Sequence, residues 1–309
     1  MYINHNQMAT QVANTLTSHY SNLSNSVQRL STGLRINSSA DDAAGLAIRE
    51  LMRTDIAALQ QGVRNANDAI SLIQTADGAL AVIDEKLIRM KELAEQAATG
   101  TYDSTQRLMI ESEYQAMASE ITRIANATDF NGIHLLDGSL SSDTHTGDGT
   151  GLDMNGKSDG LSSTGKMKIH FGSMNDSAED YYYIQIGTST ASALGVGNQA
   201  KAFTDEADAR TVSTQEAAQK ALVGLNNAVV SKDKIRAHLG ALQNRLENTI
   251  SNLTTQTQNL QAAESRISDV EVATEMTAFV RNQILTQSAV AMLSQANSMP
   301  QMAMQLIGR

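Results

Sequence analysis

Six histidines, three alternating glycines and one pair of adjacent aspartates are the residues of this chain best equipped for chemistry. The histidines are His5, His19, His134, His145, His170 and His238. A helical zinc site needs two imidazoles about one turn apart, as in HExxH or HxxxH, and none of the six has such a partner. Cysteine is absent, which removes thiolate metal sites and any disulfide framework. Gly147, Gly149 and Gly151 alternate in an acidic stretch, but no Lys-Ser/Thr follows them and no strand feeds them, so the parts of a phosphate cradle are missing. Asp41 and Asp42 stand just ahead of an apolar helical run, where carboxylates cap a helix and meet its positive end. With no catalytic group at useful spacing from another, the chain reads as no enzyme, with no cofactor and no metal.

The informative residues are apolar. Met8, Val12, Leu16, Tyr20, Leu23, Val27, Leu30 and Leu34 recur every three or four residues near the N-terminus. Ile235, Leu239, Leu242, Leu246, Leu253, Leu260, Ile267 and Val270 do the same toward the C-terminus. Helices of that length cannot bury their own stripes, so each needs another helix from this chain or from a neighbour. Only 4% of the 309 residues are aromatic, which suits slender helical bundles better than a thick globular core. The formal net charge of −10 argues against non-specific nucleic-acid binding. No apolar run approaches the ~20 residues that span a bilayer, and residues 1–7 lack the basic and apolar regions of a cleaved secretory signal.

The fold class that follows is mainly α: long antiparallel helical bundle or coiled-coil rods formed by the N- and C-terminal halves, plus a small β-hairpin region in the middle. The first stripe ends near Gly33, and Ser38, Ser39, Asp41 or Asp42 is positioned to cap the next helix. Helices are expected at 45–99 (about 80 Å if straight), 105–128 and 214–265. Asp129-Phe130-Asn131-Gly132 reads as a turn closing the second of these. Residues 166–172 and 181–187 are strand candidates for a hairpin within the region of about 138–190. A second break at 265–269 precedes a last helix that Pro300 is expected to stop. The halves thus correspond in reverse. Residues 1–44 with 266–309 form one expected domain, and 45–265 the other.

Several stretches resemble bacterial flagellin. They are residues 29–38 (Arg-Leu-Ser-Thr-Gly-Leu-Arg-Ile-Asn-Ser), 41–45 (Asp-Asp-Ala-Ala-Gly), 64–68 (Arg-Asn-Ala-Asn-Asp) and 89–96, then 242–246 (Leu-Gln-Asn-Arg-Leu) and 294–301 (Ser-Gln-Ala-Asn-Ser-Met-Pro-Gln). The resemblance covers roughly 1–140 and 215–309 in the family's order. It implies a subunit that self-assembles into a helical filament, serves swimming motility, and lies outside the cell after export without a cleaved signal peptide. The short middle implies a form without large outer domains. A flagellin-like hook–filament junction protein is the alternative.

The stripes and the resemblance together give a polymerisation core of Val12, Leu16, Leu23, Val27, Leu30, Val272, Met276, Val280, Ile284 and Leu293, on helices expected to fold as subunits stack. By the resemblance, Met276, Phe279, Ile284, Leu285 and Leu293 form a candidate segment for the flagellar export chaperone. Arg89, Leu93 and Glu113 match part of the patch read by the vertebrate Toll-like flagellin receptor; Arg89 and Leu93, four residues apart, would share a helix face. The implied partners are further copies of the chain, that chaperone with the type III export apparatus, the filament cap, the hook-junction proteins and, as a candidate, the receptor. Neither nucleic acid nor membrane insertion is implied.

Overall fold

The structure, a computed structural model, describes residues 6–141, 165–176, 179–198 and 209–307. In chain order the elements are α1 (Gln7–Thr32), α2 (Ala43–Ala98), α3 (Ser104–Ala127), β1 (Asp129–Phe130), β2 (Ile133–His134), β3 (Met167–His170), β4 (Tyr181–Ile184), α4 (Ala191–Leu194), α5 (Gln215–Ser268) and α6 (Val272–Ile307). The glycine run at 147–151 and most of the expected middle loop lie outside the described residues.

Local chemistry sets the helix ends. Asn6 accepts the Ala9 N–H at 3.0 Å to start α1. Gly33, at φ 74°, ends it in the left-handed conformation, with its N–H on the Arg29 carbonyl at 2.9 Å. Of the four candidate caps for α2, Asp42 takes the role, accepting the Gly45 N–H at 2.9 Å. Asp41 instead closes the preceding loop, its carboxylate accepting the N–H groups of Asn37 and Ser38 at 3.2 and 3.0 Å. The expected turn at 129–132 is a hairpin of its own: Phe130 pairs with Ile133 across Asn131 and Gly132, both at positive φ (53° and 80°), as a two-residue reversed turn requires.

One expectation is corrected: Pro300 does not stop the last helix, and α6 runs through it to Ile307. The chain separates into two compact units, residues 1–57 with 257–309 and residues 58–256, whose limits fall inside α2 and α5. The first turns of α2 belong with the terminal helices because Arg49 donates to the Ile36 carbonyl at 3.0 Å and Arg53 lies 3.8 Å from Glu264.

In the first unit, α1 and α6 run antiparallel. Arg29 lies 3.8 Å from Glu275, and Leu34 bridges Asp269 in antiparallel fashion. The two breaks read from the sequence meet there: the Val270 N–H reaches the Gly33 carbonyl at 3.0 Å, and the Arg35 N–H reaches that of Ser268 at 2.6 Å.

The second unit holds the main core. Along α2, Leu59, Ala66, Ile73, Leu80, Leu87 and Ala94 are buried at seven-residue spacing, and so are Ala69, Ala76, Ile83, Met90 and Ala97. On α5 the same spacing buries Ala218, Leu225, Lys232, Leu239, Leu246 and Leu253. These are the two seams of a heptad pattern. α3 adds Ile110, Tyr114, Ala118, Ile121 and Ala125. Gly62 continues the second α2 series where the hairpin takes over from a helix. A Cβ there would sit 2.0 Å from the Phe171 carbonyl oxygen, and Asn65 one turn on donates to the His170 carbonyl at 2.8 Å. β3 and β4 pair antiparallel, Met167 with Ile184 through His170 with Tyr181.

Candidate functional site

The unusual surface of this protein is the one its terminal helices leave open. α6 has 36 residues, of which only Glu275 and Arg281 are charged. A helix with so few charges belongs against other helices rather than in water. In the single chain, Val272 (59% exposed), Met276, Val280, Ile284 (57%), Leu285, Val290, Met292 and Met302 all stand in water. On α1, Met8, Tyr20 and Val27 do likewise. What the α1–α6 seam buries is small: Ser26, Thr286 and Ala296. Contiguous exposed apolar surface of this kind marks an interaction site.

Of the ten residues expected in a polymerisation core, Val27, Val272, Met276, Val280 and Ile284 are thus open to solvent, while Val12, Leu16, Leu23, Leu30 and Leu293 are half-buried. Met276, Val280, Ile284 and Leu285, with Thr277 and Arg281, line one shallow groove on α6. That groove holds three of the five residues of the expected chaperone segment; Phe279 and Leu293 are half-buried. No helix among the described residues is long and apolar enough to cross a membrane.

The second candidate surface lies in the other unit. Arg89 on α2 donates through Nε and Nη2 to Glu113 on α3 at 3.0 and 2.8 Å, and through Nη1 to Glu92 at 2.9 Å. Hydrogen bonding to Glu113 first, and to Glu92 second, raises the Arg89 pKa above its ordinary value. Leu93 does not share this open face, which corrects the expectation. It is 1% exposed, in the core with Met90, Ala94 and Ala97, because other elements of this unit pack over that side of α2.

Sequence reasoning missed Lys232. Its side chain is 2% exposed and its ammonium lies 2.7 Å from Asp233 and in hydrogen-bond contact with Asp84 of α2. Arg236, one turn on, pairs with both carboxylate oxygens of Asp77, at 2.7 and 3.2 Å. The signal was available: counting in sevens from Ala218 to Leu253 puts a lysine on the seam, where a lone polar residue fixes helix register.

Among the described residues no three His, Asp or Glu side chains converge as metal ligands.

Comparisons with known proteins agree on one family. Residues 3–141 match the bacterial flagellin N-terminal helical region, and residues 210–307 the bacterial flagellin C-terminal helical region. The chain is 42% identical to a flagellin of Bacillus subtilis over 315 residues, covering 99% of this chain and all of the relative. It is 38% identical over 307 residues to the flagellar filament 33 kDa core protein of Treponema phagedenis, with the same coverage. A solved structure, of a putative flagellar hook-associated protein from Vibrio parahaemolyticus, superposes at TM-score 0.53 over 74% of this chain and all of that one. At 14% identity that likeness speaks to fold alone. The chain belongs to the bacterial flagellin family and is a structural subunit of the flagellar filament, not an enzyme.

Proposed function

We propose that α1 and α6 are the assembly elements of the subunit, and that they gain most of their stability from neighbouring copies. The observation that carries this is the exposure of Val272, Val280, Ile284 and Met292 on a helix with two charges in 36 residues. A lone helix pair that, among the described residues, fully buries only Ser26, Thr286 and Ala296 has little tertiary packing to hold it, and packing is the main source of helical stability. Stacked subunits cover the open faces, at about 25 cal/mol per Å² of apolar surface, against the entropy of ordering the chain. A head-to-tail contact that does not close a ring yields an open helix, the geometry of a filament. Subunits whose tails order only on contact also stay soluble before export.

The same reading assigns the remaining partners. The Met276–Leu293 face is the segment an export chaperone covers on the way to the type III export apparatus, as an amphipathic helix laid in a groove. Release takes place outside the cell without cleavage of a signal peptide, under the filament cap and above the hook-junction proteins. Arg89 and Glu113 form the exposed part of a surface for the Toll-like flagellin receptor.

The test is polymerisation of purified chain, followed by sedimentation and electron microscopy. The full chain is expected to grow filaments. Chains lacking 1–33 or 272–309 are expected to remain monomeric with the core of 58–256 folded. Strong protection of α1 and α6 amides from exchange in the free monomer, or filaments from either truncated chain, would overturn the proposal. For the receptor surface, Arg89→Asp should abolish signalling; undiminished signalling would remove that assignment.

A further inference from the structure

The one proline of the chain sits inside a helix, and a residue near the other end of the chain meets the consequence. In α6 the carbonyl of Ala296 would normally accept the N–H of residue 300, but Pro300 has none. Ala296 is 6% exposed, so water reaches its carbonyl poorly, and a buried acceptor without a partner is costly. The Asn6 side chain supplies the missing donor, its Nδ2 lying 2.8 Å from the Ala296 oxygen. The other end of the same amide is also engaged: Oδ1 accepts the Ala9 N–H and starts α1. Reversing the amide would set a carbonyl against a carbonyl and an N–H against an N–H. Both halves of the side chain are therefore specified.

We infer that Asn6 is a positioning residue that recognises the proline-freed carbonyl of α6 and so locks the two terminal helices into the single register that filament assembly uses. The lock is selective because Pro300 frees one carbonyl at one level of α6, and the chain has no other proline. A slip of α1 by one turn would carry Asn6 opposite a carbonyl already bonded within the helix. At the far end of the pair, Arg29 with Glu275 and Leu34 with Asp269 hold the same antiparallel register. Between these ends the described residues that the seam buries fully are Ser26, Thr286 and Ala296, with Leu16, Leu23, Leu30 and Leu293 half-buried. This inference rests on the assembly role proposed above for α1 and α6.

The experiment is a two-by-two set in the full chain, read as critical concentration for polymerisation: unaltered, Asn6→Asp, Pro300→Ala, and both together. Aspartate keeps the acceptor that caps α1 but loses the donor, so Asn6→Asp should raise the critical concentration about tenfold or more. Pro300→Ala restores the N–H to Ala296 within α6, so the double variant should recover to within about twofold to threefold of the Pro300→Ala chain. A plain loss of cap or of folding in Asn6→Asp would not be rescued by a change at residue 300. Polymerisation of Asn6→Asp like the unaltered chain, or no rescue in the double variant, overturns the inference while leaving the assembly role intact. Failure of the unaltered chain to polymerise overturns both.

Discussion

Truncating Ile284 should separate assembly from folding. Ile284→Ala removes three methyl or methylene carbons, together about 2.4 kcal/mol when wholly buried. In the single chain Ile284 is 57% exposed, so that share of its surface is left for a neighbour to cover. Scaling gives about 1.4 kcal/mol of lost subunit contact, or about a tenfold rise in critical concentration. The urea midpoint of the free chain should not move, because the main core lies in residues 58–256 and Ile284 is no part of it. Leu87→Ala is the converse control. Leu87 is 0% exposed on the α2 seam, and its truncation should cost about 2–5 kcal/mol in the free chain. Critical concentration comes from the supernatant after sedimentation of polymer, and chain stability from urea unfolding followed by circular dichroism. Ile284→Ala polymerising at the unaltered critical concentration would refute the reasoning, as would a fall in its urea midpoint comparable to that of Leu87→Ala.

Three further outcomes follow from particular contacts. Asp84→Asn with Asp233→Asn leaves the Lys232 ammonium buried without a carboxylate and should cost about 3 kcal/mol or more, whereas Lys232→Met removes the charge and should cost under about 1 kcal/mol; urea unfolding that ranks the two the other way would contradict the ion-pair account. Gly62→Ala should push β3 off α2, lowering exchange protection in 167–170 and 181–184 and costing about 1–3 kcal/mol, and unchanged protection would refute the close approach. The N–H groups of Ser38 and Asn37, then the Ser38 hydroxyl, hold the Asp41 pKa below its ordinary 3.8, so the folded loop binds this proton less readily than the unfolded chain. Its contribution is complete above the ordinary value and fades as pH falls through the depressed one. The Asn37 and Ser38 amide resonances should therefore titrate below pH 3.8, and a midpoint at or above that value would refute the assignment.

Most of the helical architecture was legible in the sequence, since heptad spacing and caps act within a few residues of each other. The expected helices at 45–99, 105–128 and 214–265 lie within three residues of α2, α3 and α5 at every end. The strand candidates at 166–172 and 181–187 contain β3 and β4, because alternating residues next to a turn need only one partner nearby. Periodicity failed where a residue's fate depends on what arrives from far along the chain. Leu93 reads as a neighbour of Arg89 one turn away, yet the approach of other helices decides that it is core. Counting in sevens puts Lys232 on the seam, but its Asp84 partner is named only once α5 is laid against α2.

The sequence by itself determined that this chain is a set of long helices with apolar faces exceeding what it can cover, because side-chain period and charge placement are local properties. Tertiary structure alone decided which of those faces stay open and how the two ends are matched. A proline is read locally as a stop, since it withholds an N–H from the carbonyl four residues back. Here α6 continues past Pro300, and an asparagine almost 300 residues earlier donates the hydrogen bond that the proline withholds, a proximity that exists only once the chain has folded back on itself.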